Sequence, residues 1–153
     1  MFIRNIRKSD YEAVGRLLLQ LHQQDIAGRP DLFSPTDHYM TRECFENLVE
    51  SNHVMTLLVQ ERFDILACCF VSMLEKNGDA HKKTAYIDLL VFDERHRRCG
   101  IGKVLFKEVQ KRAKKAGAKC VNLTVWSYNK IAESAYAAYG MTPQRSVYEI
   151  ALP

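Results

Sequence analysis

The pattern of hydrophobic and polar positions changes along the chain, and its first half is typical of short strands and amphipathic helices. The stretch "FIRNIR" predicts a first strand, and "HVMTLLVQ" and "DILACCFVSML" predict two strands joined by "ERFD" as an antiparallel hairpin. Before the hairpin, apolar residues recur at helical spacing at Val14, Leu17, Leu18 and Leu21. A second helix is predicted after Thr41, beyond a loop that contains two prolines.

The second half of the chain predicts a parallel unit. The strand "TAYIDLLVF" is followed by a helix over residues 101–116 and by the strand "CVNLTVW". The apolar stripe of this helix is predicted at Ile101, Val104, Leu105, Val109, Ala113 and Ala116. A β-α-β unit of this kind has parallel strands and a right-handed crossover. A last helix at about residues 130–139 and a closing strand "SVYEIAL" complete the prediction, with "NGDAHKK" as a polar loop between the halves.

These elements predict a mixed α/β sheet that is antiparallel in its first half and parallel at residues 88–126. No linker rich in Pro, Gly or Ser divides the 153 residues, so we expect one domain over residues 1–153. No apolar run approaches the roughly 20 residues that span a bilayer, and "MFIRNIRKSD" lacks the apolar core of a secretory signal. We therefore expect a cytoplasmic protein that does not enter the membrane.

The five cysteines and five histidines show no ligand spacing that is typical of a metal site. We expect reduced thiols and no metal. The net charge is only +4, but ten of the 22 basic residues lie between residues 95 and 119, where Glu108 is the one acid. This local field favours an anionic ligand over nucleic acid, which we rank last because the basic helix also has an apolar stripe and its charges fit a solvated face.

The densest part of this basic region is "DERHRRCGIGKVLF", which joins the end of a strand to the start of a helix. Unpaired backbone N–H groups and the positive end of the helix dipole meet there, and glycines let a phosphate approach the main chain. A Walker A loop does not fit, because Val104 follows Gly102 and Lys103. A dinucleotide fingerprint does not fit either, because Leu105 stands where a third glycine is needed. A basic, solvated helix start with turn glycines stays open as an alternative.

Two segments of the chain resemble motifs of the GNAT superfamily of acetyl-CoA-dependent N-acetyltransferases. The segment "RRCGIG" has the form R-x-x-G-x-G, the acyl-CoA pyrophosphate signature of that family, between a strand and a helix as the family requires. Downstream, "NKIAESAYAAYGM" is similar to the family segment N-x-x-A-x-x-x-Y-x-x-x-G-[FM]. The resemblance covers the C-terminal half closely and the N-terminal half in element order, and it implies the acyl-CoA N-acyltransferase fold.

The resemblance also implies a binding mode for acetyl-CoA as co-substrate. The pantetheine arm would pair with the backbone of Leu90, Val91 and Phe92 as an added strand, in a gap where two parallel strands splay apart after a bulge. Asn129 would contact the same arm. The pyrophosphate would be held by Arg97, Arg98, Cys99, Gly100, Ile101, Gly102 and Lys103. Family members often have glycine or a small residue where Arg98 stands, and Cys99 is either a reactive thiol or a passive one.

Two residues are candidates for the chemistry. Tyr136 occupies the position of the family tyrosine that faces the sulfur of CoA, and a phenol that stays protonated can donate to the leaving thiolate. The alternative is a half-buried helix aromatic. Asp88 interrupts the apolar strand, and we expect a carboxylate on a largely buried sheet to have a partner or a purpose. Many family members have Glu there; Asp88 is either the general base or a residue that binds the ammonium.

The sequence therefore predicts an N-acetyltransferase that transfers an acetyl group from acetyl-CoA to a primary amine by direct attack in a ternary complex. The acceptor is either a small-molecule amine or an amine of a peptide or protein. The alternative is a catalytically silent acyl-CoA-binding sensor or scaffold. Dimers are common in the family, so a homodimer is compatible with the resemblance.

Overall fold

The computed structural model describes residues 1–78 and 83–153, and residues 79–82, on which most of the polar loop "NGDAHKK" falls, lie outside the described residues. Short 3-10 turns at Lys8–Asp10 and Glu94–His96 precede α1 and α3. The strands and helices, in chain order, are β1 (Phe2–Arg4), α1 (Tyr11–Gly28), α2 (Arg42–Glu50), β2 (Val54–Glu61), β3 (Asp64–Glu75), β4 (Lys83–Phe92), α3 (Ile101–Lys115), β5 (Cys120–Leu123) and α4 (Lys130–Ala138).

The five strands form one sheet in the order of the chain. β1 to β4 pair antiparallel with their neighbours, and β4 pairs parallel with β5, from Thr84 beside Cys120 to Ile87 beside Leu123. α3 connects these two parallel strands, so the predicted β-α-β unit is present. The mixed sheet and the predicted fold class are confirmed.

Helices cover both faces of the sheet, and each face has its own core. α3 packs on one face with the buried residues Leu57, Cys69, Val71, Ala85, Ile87, Ile101, Leu105, Phe106, Val109 and Ala113 among its core. α1 and α2 pack on the other face, where the core includes Val14, Leu17, Leu18, Phe45, Leu58, Cys68, Phe70 and Val91. The apolar period of each helix is thus matched to one face of the strands.

Two residues of the predicted inner stripe of α3 are exposed: Val104 near the start of the helix, and Ala116, which follows its last residue, Lys115. Val104 is 45% exposed, whereas Phe106, which the prediction left out, is 4% exposed. The stripe of a real helix turns by 100° per residue, and Ile101, Leu105 and Val109 already define its centre four residues apart. Val104 therefore lies at the edge of the stripe, beside the turn that begins the helix.

The predicted closing strand "SVYEIAL" is wrong for the chain taken alone. Residues 142–153 have no regular secondary structure, and every one of them is exposed. The alternating pattern is suited to a strand, but a strand forms only where another strand supplies hydrogen bonds. β5 is also shorter than "CVNLTVW" predicts, because it ends at Leu123 and a loop follows.

Candidate active site

The N-terminus of α3 has backbone donors without acceptors. Gly100 precedes the helix in the left-handed conformation (φ 77°), which only glycine adopts without strain, and no side chain caps the helix. The N–H groups of Ile101, Gly102 and Lys103 have no hydrogen-bond partner within residues 1–78 and 83–153. In contrast, α2 and α4 are capped by the side chains of Thr41 and Asn129. The start of α3 is therefore built to receive an external acceptor.

Three cations surround this helix start without compensating acids. Arg97, Arg98 and Lys103 are exposed, and none of them forms an ion pair with a carboxylate in the part of the chain that the structure describes. Arg97 is instead held by neutral acceptors: its Nε donates to the carbonyl oxygen of Phe92 (3.4 Å), and its two terminal nitrogens lie 2.9 and 2.5 Å from the carboxamide of Gln24 on α1, whose oxygen accepts from them once the amide is flipped. The positive charge of the turn thus remains available to an anion.

The backbone of this turn is unusual at Arg98 as well. Arg98 has a φ of 63°, in the left-handed region where a side chain costs about 1 kcal/mol or more relative to glycine. This conformation explains why glycine suits the position, where members of the family that the sequence resembles often have glycine or a small residue. Cys99 is exposed, and its thiol lies 3.5 Å from the carbonyl oxygen of Arg97.

β4 and β5 separate just before this turn. The two strands pair only from Thr84 to Ile87 of β4, although β4 continues to Phe92. The register of β4 with β3 also shifts here, since Phe70 pairs with Leu89 and Val71 with Ile87, which leaves Asp88 as an extra residue in a β-bulge. The backbone of Leu90, Val91 and Phe92 consequently has no strand beside it on the β5 side among the described residues. A gap after a bulge is the feature that the resemblance implies for the pantetheine arm.

Asp88 is exposed, so the expectation of a carboxylate on a largely buried sheet is wrong. The bulge breaks the alternation of β4 and turns the carboxylate toward the solvent beside Ser72, whose hydroxyl donates to Oδ2 (2.6 Å). Further polar groups share this face: the Tyr86 hydroxyl lies 2.9 Å from the Thr124 hydroxyl, and Asn122 Oδ1 is buried without a hydrogen-bond partner among the described residues. The sequence analysis did not predict these four neighbours of Asp88. Their alternation with core residues along the strands indicates that they share one face of the sheet.

Tyr136 lies on α4 and is half-buried. Burial is the main reason why the pKa of its phenol rises to about 12, and the nearby Cys69 and Tyr139 add to the effect. The pKa of the buried Cys69 thiol is itself raised by burial and by the charges of Cys68 and Asp88. Tyr136 keeps its proton at neutral pH.

The residues at the two ends of α4 have contacts that the sequence did not reveal. Asn129 is the N-cap, and its Oδ1 accepts from the N–H of Ala132 (3.1 Å), whereas its amide nitrogen has no hydrogen-bond partner among the described residues and can donate to a ligand. Tyr139 stacks on Phe106 with ring centres 5.2 Å apart, and a Cβ at Gly102 would collide with its hydroxyl. Gly102 is therefore needed for packing between α3 and α4 as well as for access to the helix start.

The loop after β5 packs against the end of α1 and forms an aromatic wall. Trp126 and Tyr128 stack with ring centres 6.1 Å apart, and the guanidinium of Arg29 lies 5.5 Å from the centre of the Trp126 ring. Tyr128 donates to Asp25 (2.8 Å), and burial together with this carboxylate raises its pKa to about 12. Its ring lies so close to Gly28 that a Cβ there would collide with it.

The cations before the glycine turn have a different role. Arg95 binds the carboxylate of Asp93 through Nε and Nη2 (3.1 and 2.7 Å), and Asp93 is 2% exposed. This ion pair, with hydrogen bonds from Arg95, lowers the pKa of Asp93 to about 2. Nδ1 of His96 lies 3.8 Å from the same carboxylate. Arg95 and His96 therefore belong to a structural turn.

Two features of the described residues bear on membranes and metals. No helix within residues 1–78 and 83–153 is long and apolar enough to cross a membrane. In the same part of the chain, no group of three or more His, Cys, Asp or Glu side chains is placed to hold a metal ion.

The chain matches the acetyltransferase (GNAT) family over residues 12–141. It belongs to that family, as its two motifs indicate. A mutant of the BH1408 protein of Bacillus halodurans has a similar structure, with a TM-score of 0.95 and 29% identity over 100% of both chains. No curated protein matches the sequence.

Two aminoglycoside acetyltransferases show the same fold at lower identity. The apo aminoglycoside 6'-N-acetyltransferase AAC(6')-IG of Acinetobacter haemolyticus is 15% identical, with a TM-score of 0.74 over 100% of this chain and 99% of that one. AAC(6')-Iy, in complex with the bisubstrate analogue CoA-S-monomethyl-acetylneamine, is 16% identical, with a TM-score of 0.77 over 99% of this chain and 98% of that one.

Proposed function

We propose that this protein is an N-acetyltransferase that transfers an acetyl group from acetyl-CoA to a primary amine within a ternary complex. The observation that carries the proposal is the gap between β4 and β5, which opens beside the uncapped start of α3 and its uncompensated cations. A thioester arm and a pyrophosphate need these two features next to each other. Membership of the GNAT family supports the same reading.

The residues of the gap and the turn fit acetyl-CoA. The free N–H groups of residues 101–103 and the charges of Arg97, Arg98 and Lys103 suit the pyrophosphate. The unpaired backbone edge of residues 90–92 suits the amides of the pantetheine arm, in the manner of an added strand. The free amide nitrogen of Asn129 can donate to the same arm. Cys99 and Ile101 belong to the turn through their backbone.

Tyr136 acts as the general acid in this proposal. When bound, acetyl-CoA supplies a thioester carbonyl carbon that is open to attack by a neutral amine. The Tyr136 hydroxyl holds its proton, because burial raises its pKa to about 12, and in this proposal it donates that proton to the leaving sulfur. A residue with an unperturbed or lowered pKa would be less certain to carry a proton at alkaline pH.

Asp88 receives the amine in this proposal. One of its oxygens accepts from Ser72, and the other is open to an ammonium or amine on the solvent side. The hydroxyls of Tyr86 and Thr124 and the unpartnered oxygen of Asn122 add acceptors on the same face. Asp88 either takes the proton of the ammonium or orients the amine, and the two roles are separable by experiment.

The acceptor is a small-molecule amine in this proposal. The polar face around Asp88 is open, and Phe33 contacts Trp126 edge to face with ring centres 5.9 Å apart at the loop after β5. Aminoglycosides, which are polyhydroxylated amines, are the substrates named for two proteins of the same fold. They belong in the acceptor panel, beside polyamines, amino acids and a lysine peptide.

Release of free thiol from acetyl-CoA with each amine of this panel tests the proposal. Tyr136→Phe should lower kcat by about 10²-fold and leave the affinity for acetyl-CoA unchanged, since the tyrosine acts on the leaving group. Tyr148→Phe, at a tyrosine that is 92% exposed, is the matched control and should have no effect. Gly102→Glu should abolish binding of acetyl-CoA. Unchanged affinity in Gly102→Glu would overturn the proposal, and tight binding that no amine turns into thiol release would indicate a sensor.

The role of Asp88 is tested with Asp88→Asn and Asp88→Glu. If the carboxylate removes the proton, Asp88→Asn lowers kcat and shifts the acidic limb of the pH profile, and Asp88→Glu restores part of the rate. If the carboxylate only orients the amine, Asp88→Asn raises KM for the amine and leaves the shape of the kcat profile unchanged.

A further inference from the structure

α1 holds the turn between β4 and α3 through two glutamines. Gln20 and Gln24 lie four residues apart, so they share one face of the helix, and both are half-buried. Oε1 of Gln20 accepts from the N–H of Glu94 (3.1 Å). The carboxamide of Gln24, with its oxygen turned to Arg97, accepts from the two terminal nitrogens of that guanidinium (2.9 and 2.5 Å). The helix therefore contacts the basic turn at two successive points.

The position of Gln24 is fixed by other residues of α1. Leu17 and Leu18, earlier in the helix, are buried in the core between α1 and the sheet. The carboxylate of Asp25 accepts from the Tyr128 hydroxyl (2.8 Å), which ties the end of α1 to the loop after β5. These anchors leave α1 little freedom to slide or rotate. The carboxamide of Gln24 is thus presented to the turn from a rigid element.

The guanidinium of Arg97 is oriented from two directions and still has free donors. Its Nε donates to the carbonyl oxygen of Phe92 at the end of β4 (3.4 Å), and its terminal nitrogens donate to Gln24. A guanidinium has five N–H groups in one plane. Three of them are used among the described residues, so one N–H on each terminal nitrogen is left for a further acceptor. Arg97 is exposed, and a phosphate oxygen can approach these two donors from the solvent.

A carboxamide and a carboxylate at position 24 would hold Arg97 with similar geometry but with different charge. A carboxylate forms an ion pair, as Asp93 does with Arg95 in the same stretch, and the guanidinium then presents little net charge to a ligand. Gln24 is neutral, so Arg97 keeps its positive charge. An arginine that is oriented before the ligand arrives also loses less rotamer freedom on binding. A pyrophosphate site benefits from both properties.

We propose that Gln24 is a positioning residue for the pyrophosphate of acyl-CoA, which holds the guanidinium of Arg97 in its binding orientation and leaves its charge intact. This inference rests on the proposed function, in which Arg97 binds the pyrophosphate of acetyl-CoA. Gln24 acts through Arg97 and contacts no reacting atom. It therefore sets the affinity for the co-substrate and has little influence on the transfer step.

Titration calorimetry of full-length variants tests the role of Gln24, with acetyl-CoA and inorganic pyrophosphate as separate probes at about 0.15 M salt. Gln24→Glu should weaken binding of both about 10- to 100-fold, because the new ion pair competes with the phosphate for Arg97. Gln24→Ala, which loses only the orientation, should weaken binding about three- to tenfold. Gln23→Glu is the matched control, since it adds the same charge at the exposed neighbouring residue, and its affinities should stay within about twofold of wild type.

Three further measurements separate this role from simple docking of α1. Gln24→Glu replaces a neutral hydrogen bond by an ion pair, so its unfolding temperature should be no lower than that of wild type. In the transfer assay it should raise KM for acetyl-CoA more than it lowers kcat. In the Arg97→Gln background, Gln24→Ala should cause no further loss of affinity, since the side chain that Gln24 positions is gone.

Equal affinities of Gln24→Glu and Gln23→Glu would overturn the inference, because a helix that only docks against the turn tolerates a carboxylate at position 24. A loss in Gln24→Ala that persists in the Arg97→Gln background would overturn it as well. Failure of the proposed function is recognised separately: wild type would release no thiol with any amine, while the affinities of the variants would still show the role of Gln24. A wild-type protein that binds neither probe would overturn both.

Discussion

Two turns of one basic stretch treat their positive charges in opposite ways. In the turn at Glu94–His96, Arg95 is neutralised by the carboxylate of Asp93, which is 2% exposed. A few residues later, Arg97, Arg98 and Lys103 have no carboxylate partner within the described ranges, and the helix start beside them is uncapped. The amino-acid composition of the stretch does not show which of these cations are neutralised. A cation is neutralised where a buried carboxylate lies beside it.

The difference shows how the chain keeps unpaired cations at a helix start without losing the turn that positions them. Asp93 caps the 3-10 turn by accepting from the N–H of Arg95 (3.0 Å), and its own N–H donates to the carbonyl oxygen of Leu66 (2.8 Å). This anchor fixes the end of β4 to β3. The unpaired cations that follow can then repel each other without displacing the strand, and an incoming pyrophosphate would remove that repulsion.

The largest expected effect is on the affinity for acetyl-CoA, and it should differ between substitutions of Arg97 and Arg95. Arg97→Gln should weaken binding of acetyl-CoA about 10- to 100-fold, because a hydrogen bond to a charged group contributes about 1.5–3 kcal/mol. Arg95→Gln, five residues from the glycine pair and already neutralised, should leave that affinity unchanged. Calorimetric titration of both variants measures the difference. Equal losses in the two variants would show that the field of the whole stretch, and not the unpaired arginine, binds the ligand.

The next largest effect is on stability, and it concerns the turn in which Asp93 neutralises Arg95. Asp93→Asn should lower the free energy of unfolding by about 1–2 kcal/mol at neutral pH, since the ion pair and its hydrogen bonds are lost. The folded pKa of about 2 lies below the ordinary value near 3.9, so this contribution is complete above about pH 4 and disappears as the pH falls through about 2.

Denaturant unfolding at several pH values checks this dependence. The gap between wild type and Asp93→Asn should be widest at neutral pH and close near pH 2. Affinity for acetyl-CoA, measured at neutral pH and at a temperature where both proteins are folded, should be similar. A gap that persists at pH 2 would mean that the carboxylate acts through packing and not through its charge.

The third prediction lies at Arg98, where charge and backbone strain coincide. Arg98→Gly should raise stability by up to about 1 kcal/mol, because glycine adopts the left-handed conformation without strain, and it should weaken acetyl-CoA binding by a few-fold through the lost charge. Arg98→Ala is the matched control: it loses the same charge but keeps the strain. Its affinity should match that of Arg98→Gly, and its stability should not rise. Thermal unfolding, in which about 1 kcal/mol corresponds to about 2–4 °C at this length, resolves the two.

The turn between β4 and α3 was predictable from the sequence because its parts are neighbours in the chain. The strand, the glycine pair and the helix start lie within residues 84–116, and their geometry follows from local rules of helix ends and parallel connections. The contact of Gln24 with Arg97 was not predictable. It depends on how α1 lies across the sheet, and a glutamine on a helix carries no pattern of its own.

Two errors have a common physical cause. Asp88 was expected on a largely buried sheet, but a bulge in β4 turned it to the solvent, and sequence periodicity does not reveal a single extra residue in a strand. Residues 146–152 were expected to close the sheet, yet the chain alone leaves them unpaired. In both cases the residue pattern correctly indicated residues suited to a strand. The pairing with the neighbouring strand, which the pattern does not show, decided which way Asp88 points and whether residues 146–152 form a strand.

The smallest effect tests whether the two sets of charges also differ in their response to salt. Raising the ionic strength from about 0.05 M to about 0.5 M shortens the Debye length about threefold. Salt therefore screens interactions between exposed charges strongly and those of buried charges much less. Affinity for acetyl-CoA should therefore fall by a few-fold in wild type and by less in Arg97→Gln, which has one exposed cation fewer. The stability gap between wild type and Asp93→Asn should change little over the same range, because the Asp93 carboxylate is buried. The opposite result would be a stability difference that disappears at high salt and an affinity for acetyl-CoA that stays constant. It would mean that Arg95 binds the ligand and that Arg97 has the structural role.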